Sequence, residues 1–215
     1  VTYKHDDLQK IADVISQYDI FCLSDEIYSE LTYEGTHASM GTMLPEQTLV
    51  LNGVSKSHAM TGWRIGLLCG PADVIMEIGK VHQFAITSAT TNAQVAAQEA
   101  FENGMDDGVK MRAVYQERRD LLLAGLAKAG FECASPNGAF YLFAKIPETL
   151  NQDSWTFCYD LAKQAKVAVI PGASFGPGGE GYVRISYAAS TEDLTKAIER
   201  IQAYVVKQVL PTAGR

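Results

Sequence analysis

Residues 52–66 of this chain read Asn52-Gly53-Val54-Ser55-Lys56-Ser57-His58-Ala59-Met60-Thr61-Gly62-Trp63-Arg64-Ile65-Gly66. The lysine follows a short apolar run and a serine, and an arginine comes eight residues later inside a Gly-x-Arg-x-Gly frame. A lysine in such a place can form a Schiff base with an aldehyde, and an arginine offers a planar set of donors to a phosphate. The stretch therefore predicts a site for a ligand that carries both groups.

Pyridoxal phosphate carries an aldehyde and a phosphate, and enzymes that use it bind it covalently through a lysine. The stretch resembles the cofactor-lysine signature of the class I/II aminotransferases of fold type I. The resemblance implies that Lys56 is the covalent anchor and the general base, that Arg64 binds the phosphate, and that Ser55 adds a hydroxyl donor. Gly53 stands where many relatives carry serine, which implies that one side-chain donor to the phosphate is missing. Outside such a signature, a lysine at a strand-to-loop junction is usually a surface residue.

A second group of candidates follows residues 20–24, an apolar run that predicts a buried strand. Asp25 and Tyr28 come directly after it, three positions apart. By the resemblance, Asp25 pairs with the pyridine nitrogen of the cofactor and Tyr28 hydrogen-bonds the ring's phenolate oxygen. A buried carboxylate at that nitrogen would keep it protonated, so that the ring can accept electrons. Taken alone, the pattern also fits an aspartate that caps a helix and a tyrosine that packs.

Late in the chain, residues 181–186 read Gly181-Tyr182-Val183-Arg184-Ile185-Ser186 and alternate as a strand does. They resemble the family's late strand, whose arginine binds the α-carboxylate of the substrate, so Arg184 is the expected substrate ligand. The alternative is an arginine on the face of a strand, held in a salt bridge. Residues 136–141 resemble a family segment near the substrate side chain, although a tight turn into a strand explains them equally.

Strands that alternate with helices, with polar residues at the strand ends, predict an α/β fold. Helices are expected at residues 8–15, 72–84, 91–102, 109–129, 155–165 and 191–208, the last opened by Thr191, and Gly130 is expected to end the fourth. Strands are expected at residues 20–24, 48–53, 65–70, 131–133, 140–144, 167–170 and 182–186, the first three buried. The resemblance implies the C-terminal half of the large cofactor domain at residues 1–105, a long interdomain helix at 106–130 and a small α+β domain at 131–215.

The composition excludes several classes of protein. The net charge is −7 at pH 7 and no cluster of Lys or Arg stands out, which argues against a nucleic-acid partner. No apolar run approaches the roughly 18 residues of a membrane helix. The four cysteines are far apart and the four histidines lack metal-ligand spacing, so free thiols, no metal site and a cytoplasmic location are expected.

The resemblance covers nearly the whole chain and implies a pyridoxal-phosphate-dependent aminotransferase that acts on an amino acid and a 2-oxo acid as a homodimer. The chain looks like Gram-positive enzymes for aromatic amino acids or for N-acetyl-diaminopimelate, which the sequence does not separate. Carbon–sulfur β-lyases and the cofactor-sensing domains of some transcription regulators share the fold and remain alternatives. In the family an Asn-Pro-x-Gly loop usually precedes the first helix, so the chain is expected to begin just after it and to lack roughly the first half. We therefore predict that the 215-residue chain alone binds the cofactor weakly and does not turn over.

Overall fold

The structure, a computed structural model, describes residues 2–209. Its contacts divide the chain into two compact units. The first comprises the residues up to Ala113 together with Asn137–Ala139, and the second comprises Val114–Pro136 and the chain from Phe140 onward.

The first unit is built on a three-stranded sheet in the order β1-β2-β3. Its elements are α1 (His5–Ile15), β1 (Cys22–Asp25), α2 (Met40–Met43), β2 (Thr48–Asn52), β3 (Leu67–Cys69), α3 (Ala72–Ile86), α4 (Thr91–Glu102) and the start of α5 (Asp107–Lys128). Strands β1 and β2 are parallel, with Asp25 opposite Leu51, whereas β2 and β3 are antiparallel, with Asn52 opposite Leu67. The C-terminal ends of β1 and β2 therefore lie at the same edge of the sheet, where ligands bind in open α/β folds.

The expectation that β1 and β3 are buried is wrong for this chain. Leu23 in β1 is 62% exposed and Leu67 in β3 is 40% exposed. Helix α3 buries none of its residues, and Phe84 near its end is 94% exposed. No layer within the described part of the chain packs on these apolar faces. A helix with such apolar surface is normally covered by other polypeptide.

The second unit is a four-stranded antiparallel sheet in the order β4-β5-β7-β6, with helices packed on it. Its elements are the rest of α5, β4 (Glu132–Cys133), β5 (Tyr141–Lys145), α6 (Ser154–Ala165), β6 (Ile170–Pro171), β7 (Tyr182–Ser186) and α7 (Thr191–Val209). Unlike the first unit, it has a continuous core, in which Leu126, Leu142, Phe157 and Ile201 are each at most 1% exposed. The fold class expected from the sequence, α/β with a small α+β unit after it, is confirmed.

Most element boundaries agree with the sequence to within two or three residues. Helix α5 ends at Lys128, and Gly130 follows with φ +82°, the left-handed conformation that ends helices. The strand expected at residues 167–170 is wrong, because only Ile170–Pro171 pairs with β7. Residues 167–169 instead line a cavity of about 460 Å³ together with Ile185, so the chain diverges from β7 before a ladder can form. None of the helices within residues 2–209 has the length and apolar character needed to cross a membrane.

Candidate active site

The loop at residues 53–66, which joins β2 to β3, carries Lys56 on one arm and Arg64 on the other. Its base is closed by the pairing of Asn52 with Leu67 and by a close approach of backbone to backbone. A Cβ atom at Gly53 would lie 3.2 Å from the Cα of the facing glycine, and Gly53 has φ +157°. A side chain at this position would therefore require the two arms to move apart by a few tenths of an ångström.

Lys56 and Tyr28 lie close together at the ends of β2 and β1. The Nζ atom of Lys56 is 5.7 Å from the centroid of the Tyr28 ring. Tyr28 belongs to a turn in which the amide of Ser29 donates to the carbonyl of Glu26 at 2.9 Å. This turn brings Asp25 and Tyr28 to one cavity of about 280 Å³, as the three-residue spacing predicts. The structure thus brings three of the predicted residues into one region.

Asp25 is exposed, and the expectation of a buried carboxylate at this position is wrong for this chain. Side chains alternate along β1, so Leu23 and Asp25 share the uncovered face of the strand. One carboxylate oxygen of Asp25 accepts the amide of Ile27 at 3.3 Å. The buried acid is the next residue, Glu26, which is 7% exposed.

Glu26 is held by four hydrogen bonds. Its Oε1 accepts the hydroxyl of Ser24 at 3.0 Å, the hydroxyl of Ser39 at 2.9 Å and the amide of Met40 at 3.1 Å, while Oε2 lies 2.9 Å from Nε2 of His37. Burial raises the pKa of Glu26, but the hydrogen bonds from His37 and the two serines, with the charge of His37, lower it by more. The net pKa lies below the ordinary value of 4.5, so Glu26 is an anion at neutral pH.

This cluster was missed from the sequence. Its local signal is a pair of polar residues, Ser24 and Glu26, that flank Asp25. Ser24 donates to the carboxylate of Glu26. The same carboxylate bonds to His37, Ser39 and Met40, so the end of β1 is tied to residues 37–40. The peptide that carries Asp25 is therefore fixed from both sides.

Arg64 lies in a different cavity from Asp25. It is exposed, has φ +53°, and its Nη1 donates to the carbonyl of Thr61 at 2.8 Å. The cavity, of about 570 Å³, is also lined by Ser88, Thr90 and Asn92 at the start of α4. Within residues 2–209 no carboxylate pairs with Arg64. A guanidinium beside hydroxyl groups and a helix N-terminus suits an anion such as a phosphate.

Ser55, the remaining predicted residue of the loop, is half-buried beside Lys56. Its position on the same arm agrees with the sequence, and the cavity that Arg64 lines does not include it.

Arg184 belongs to the second unit and lies on β7. Its guanidinium carbon is 4.5 Å from the centroid of the Tyr141 ring and 4.7 Å from that of Phe175. Both rings lie within the distance of a cation–π contact, and the N–H groups of a guanidinium can bind a carboxylate in its plane. The alternative of a salt bridge is not found in the described part of the chain, where no acidic side chain pairs with Arg184.

Comparison with known proteins adds an independent result. The family model described as aminotransferase class I and II matches residues 1–201. The chain is 44% identical over 208 residues to a probable N-acetyl-LL-diaminopimelate aminotransferase of Bacillus subtilis, covering 97% of this chain and 53% of the relative. It is 43% identical to a probable aspartate/prephenate aminotransferase of Thermus aquaticus, covering 93% and 52%.

Solved structures agree. An aromatic aminotransferase from Pyrococcus horikoshii superposes with a TM-score of 0.90 at 37% identity, covering 96% of this chain and 56% of that one. An aspartate aminotransferase from Thermus thermophilus with maleate gives a TM-score of 0.87 at 41% identity, covering 94% and 52%. The chain spans about half the length of the relatives it matches.

Proposed function

Because the chain belongs to the class I and II aminotransferase family, we propose that it forms part of a protein that transfers an amino group from an amino acid to a 2-oxo acid, with pyridoxal 5′-phosphate as cofactor. The observation that carries this proposal is the approach of Lys56 Nζ to the Tyr28 ring, at the sheet edge where β1 ends in Asp25. The proposed activity is that of the whole protein, since the chain spans about half the length of its relatives.

The residues present fit the cofactor. A primary amine and an exposed carboxylate come from the end of β1 and the loop after β2, and the same loop supplies an arginine that has no carboxylate partner within residues 2–209. When bound, pyridoxal phosphate supplies an aldehyde for the amine and a ring that accepts carbanion electrons. An amine, an acid and a guanidinium are the groups that bind its aldehyde, ring nitrogen and phosphate.

We assign one role to each residue of the loop and of the end of β1. Lys56 would hold the cofactor covalently through its amine, and once the amino group of the substrate has displaced that amine, it would act as the general base that takes the proton from the substrate Cα. Asp25 holds the proton on the ring nitrogen, and Tyr28 donates to the ring oxygen. Arg64 binds the phosphate, with Ser55 as a second donor.

Arg184 binds the α-carboxylate of the substrate. The rings of Tyr141 and Phe175 keep its guanidinium in one orientation, so a carboxylate meets a preformed, bidentate donor. The names of the relatives differ in the amino acid they specify, so the proposal is made for 2-amino acids and 2-oxo acids as a class.

We also propose a homodimer in the cytoplasm. All four cysteines are free thiols, which suits a reducing compartment. The apolar surface of α3, with Phe84 at 94% exposure, suits burial against other polypeptide.

Reductive trapping tests the site on the chain itself. The chain is incubated with pyridoxal phosphate, reduced with borohydride and mapped by mass spectrometry, with the exposed Lys80 on α3 as internal reference. We expect labelling of Lys56 above Lys80 at low cofactor concentration, and its loss in Lys56→Ala. Equal labelling of both lysines at every concentration would refute the site.

The reaction class is tested on the whole protein. Amino transfer that depends on an added 2-oxo acid supports the aminotransferase. Release of pyruvate from cystathionine without such transfer would refute it in favour of a β-lyase.

A further inference from the structure

His58, two residues after Lys56, links two parts of the first unit. Its Nε2 lies 2.9 Å from the carbonyl oxygen of Gly104, and its Nδ1 lies 2.8 Å from the hydroxyl oxygen of Ser57. A carbonyl oxygen can only accept, so Nε2 carries the proton and donates to Gly104. In the neutral ring Nδ1 then accepts from Ser57, which fixes both the tautomer and the orientation of the ring.

The segment that carries Lys56 is held by a turn and by apolar contacts. Residues 53–60 contain no helix or strand. The amide of His58 donates to the carbonyl of Val54 at 3.1 Å and closes a turn around Lys56. Val54 is 1% exposed and packs, together with Met60, against the alanines of α4. These apolar contacts hold the two ends of the segment. The hydrogen bond from His58 to Gly104 links the middle of the segment to the turn after α4.

Ser57 is buried against the first turn of α5. Its side chain is 4% exposed. A Cβ atom at Gly108, in the first turn of α5, would lie 3.6 Å from the Cβ of Ser57 and 3.2 Å from that of Glu30. The turn before it is equally tight, because a Cβ atom at Gly104 would lie 3.0 Å from a carbonyl oxygen of α4. The carbonyl of Gly104, which is the acceptor for His58, also accepts the amide of Asp107 at 3.0 Å and so belongs to the turn that precedes α5.

We propose that His58 is a positioning residue for Lys56. By bonding to Gly104, it fixes the turn at residues 54–58 and thereby holds Lys56 Nζ beside the ring of Tyr28, at 5.7 Å. His58 acts through the position of the turn and transfers no proton. The inference rests on the role proposed above for Lys56 and adds the residue that orients it.

A pair of amide substitutions separates the two bonds of His58. In His58→Gln the side-chain nitrogen can reach the place of Nε2 and donate to Gly104. In His58→Asn the shorter side chain can take only the place of Nδ1, beside Ser57. If the bond to Gly104 positions Lys56, the Gln variant retains the geometry, whereas the Asn and Ala variants lose it. His82→Gln, on the exposed surface of α3, is the matched control.

The first readout needs no cofactor. In the 215-residue chain with selectively labelled Lys and Tyr, we expect a nuclear Overhauser effect between the Cε protons of Lys56 and the ring of Tyr28. It should persist in His58→Gln and in the control, and disappear in His58→Asn and His58→Ala. Persistence in all variants, or absence from the parent chain, would overturn the inference.

The second readout is the ratio of trapped pyridoxal phosphate on Lys56 to that on Lys80. We expect the ratio to fall about fivefold in His58→Asn, the factor that corresponds to one lost neutral hydrogen bond, and to recover in His58→Gln. A parent chain that shows no preference for Lys56 would refute the proposed function, and the nuclear Overhauser effect would still test His58. Variants that lower stability but leave both readouts unchanged would show a merely structural role and overturn the inference.

Discussion

Replacing Glu26 should destabilise the first unit strongly, because its carboxylate satisfies several buried donors at once. In Glu26→Ala the amide of Met40 and the ring of His37 lose their acceptor, and the two serine hydroxyls must turn elsewhere. A buried donor without a partner costs about 1–3 kcal/mol, and of these donors the amide of Met40 lies in the interior. We expect the free energy of unfolding of this unit to fall by about 2–3 kcal/mol.

Glu26→Gln separates the hydrogen bonds from the charge. Three of the four bonds go to Oε1, which a glutamine oxygen can replace. The glutamine nitrogen then faces His37 Nε2, which can accept as the other neutral tautomer. We therefore expect a loss of only about 1–1.5 kcal/mol at neutral pH.

The parent and Glu26→Gln also differ in how their stability depends on pH. The folded pKa of Glu26 is below its ordinary value of 4.5, so its ionisation stabilises the fold fully above that value. This stabilisation is lost as the pH falls from 4.5 through the lower pKa of the folded state. The parent should lose this contribution in that window, whereas Glu26→Gln, which has no carboxylate there, should not.

The assay is urea unfolding followed by tryptophan fluorescence. The chain has two tryptophans, Trp63 in the first unit and Trp155 in the second, so a Trp155→Phe background reports the first unit alone. The exposed Glu46→Ala serves as control and should change stability by less than about 0.5 kcal/mol. A loss below about 1 kcal/mol in Glu26→Ala, or equal losses in the Ala and Gln variants, would refute the reasoning.

Three further predictions concern other parts of the chain. Phe175→Ala removes one ring from Arg184 and should lower the free energy of unfolding, measured in urea, by about 0.5–1 kcal/mol. Phe175→Tyr keeps a ring there and should retain the stability of the parent. Equal stability of the two variants would contradict the contact. In Gly53→Ala the added Cβ would lie 3.2 Å from the facing backbone, so we expect the free energy of unfolding to fall by more than about 1 kcal/mol and the melting temperature by several degrees. An unchanged melting temperature would refute the close approach. At pH 8 iodoacetamide should label the exposed Cys69 well before Cys158, because burial raises the pKa of the Cys158 thiol to about 11, and equal rates in the native chain, measured by mass spectrometry, would contradict this.

Local patterns in the sequence predicted the elements well but overestimated burial. The alternation in β7 and the periodicity of α4 depend on neighbouring residues, and both segments have the predicted bounds. The burial of β1 depends instead on what packs against it, and the described residues provide no such layer, as the 62% exposure of Leu23 shows. An apolar run therefore predicts a strand, and a second element is needed to bury it.

The spacing of residues along the sequence identified the candidate site residues, but it did not identify the residues that hold them in place. Asp25 and Lys56 follow adjacent parallel strands, whose C-terminal ends meet at one edge, so their common region could be predicted. The partners of Glu26 and His58 lie 11 and 46 residues away along the chain, at His37 and Gly104. Contacts over such separations leave no periodic signal, and they become visible only when the chain is folded.

Two tethers anchor the backbone beside the candidate site residues, which explains how an exposed site can be preorganised. Glu26 follows Asp25 and Ser57 follows Lys56, and in each pair the second residue is buried while the first is exposed or half-buried. At the end of β1 the backbone is extended and successive side chains point to opposite sides, so anchoring Glu26 in the interior aims Asp25 outward. In the turn after β2 the proposed anchor is instead the bond from His58 to Gly104, which holds the turn that carries Lys56. The orientation of the ligand-binding groups thus depends on buried hydrogen bonds inside the first unit, which a ligand does not have to create.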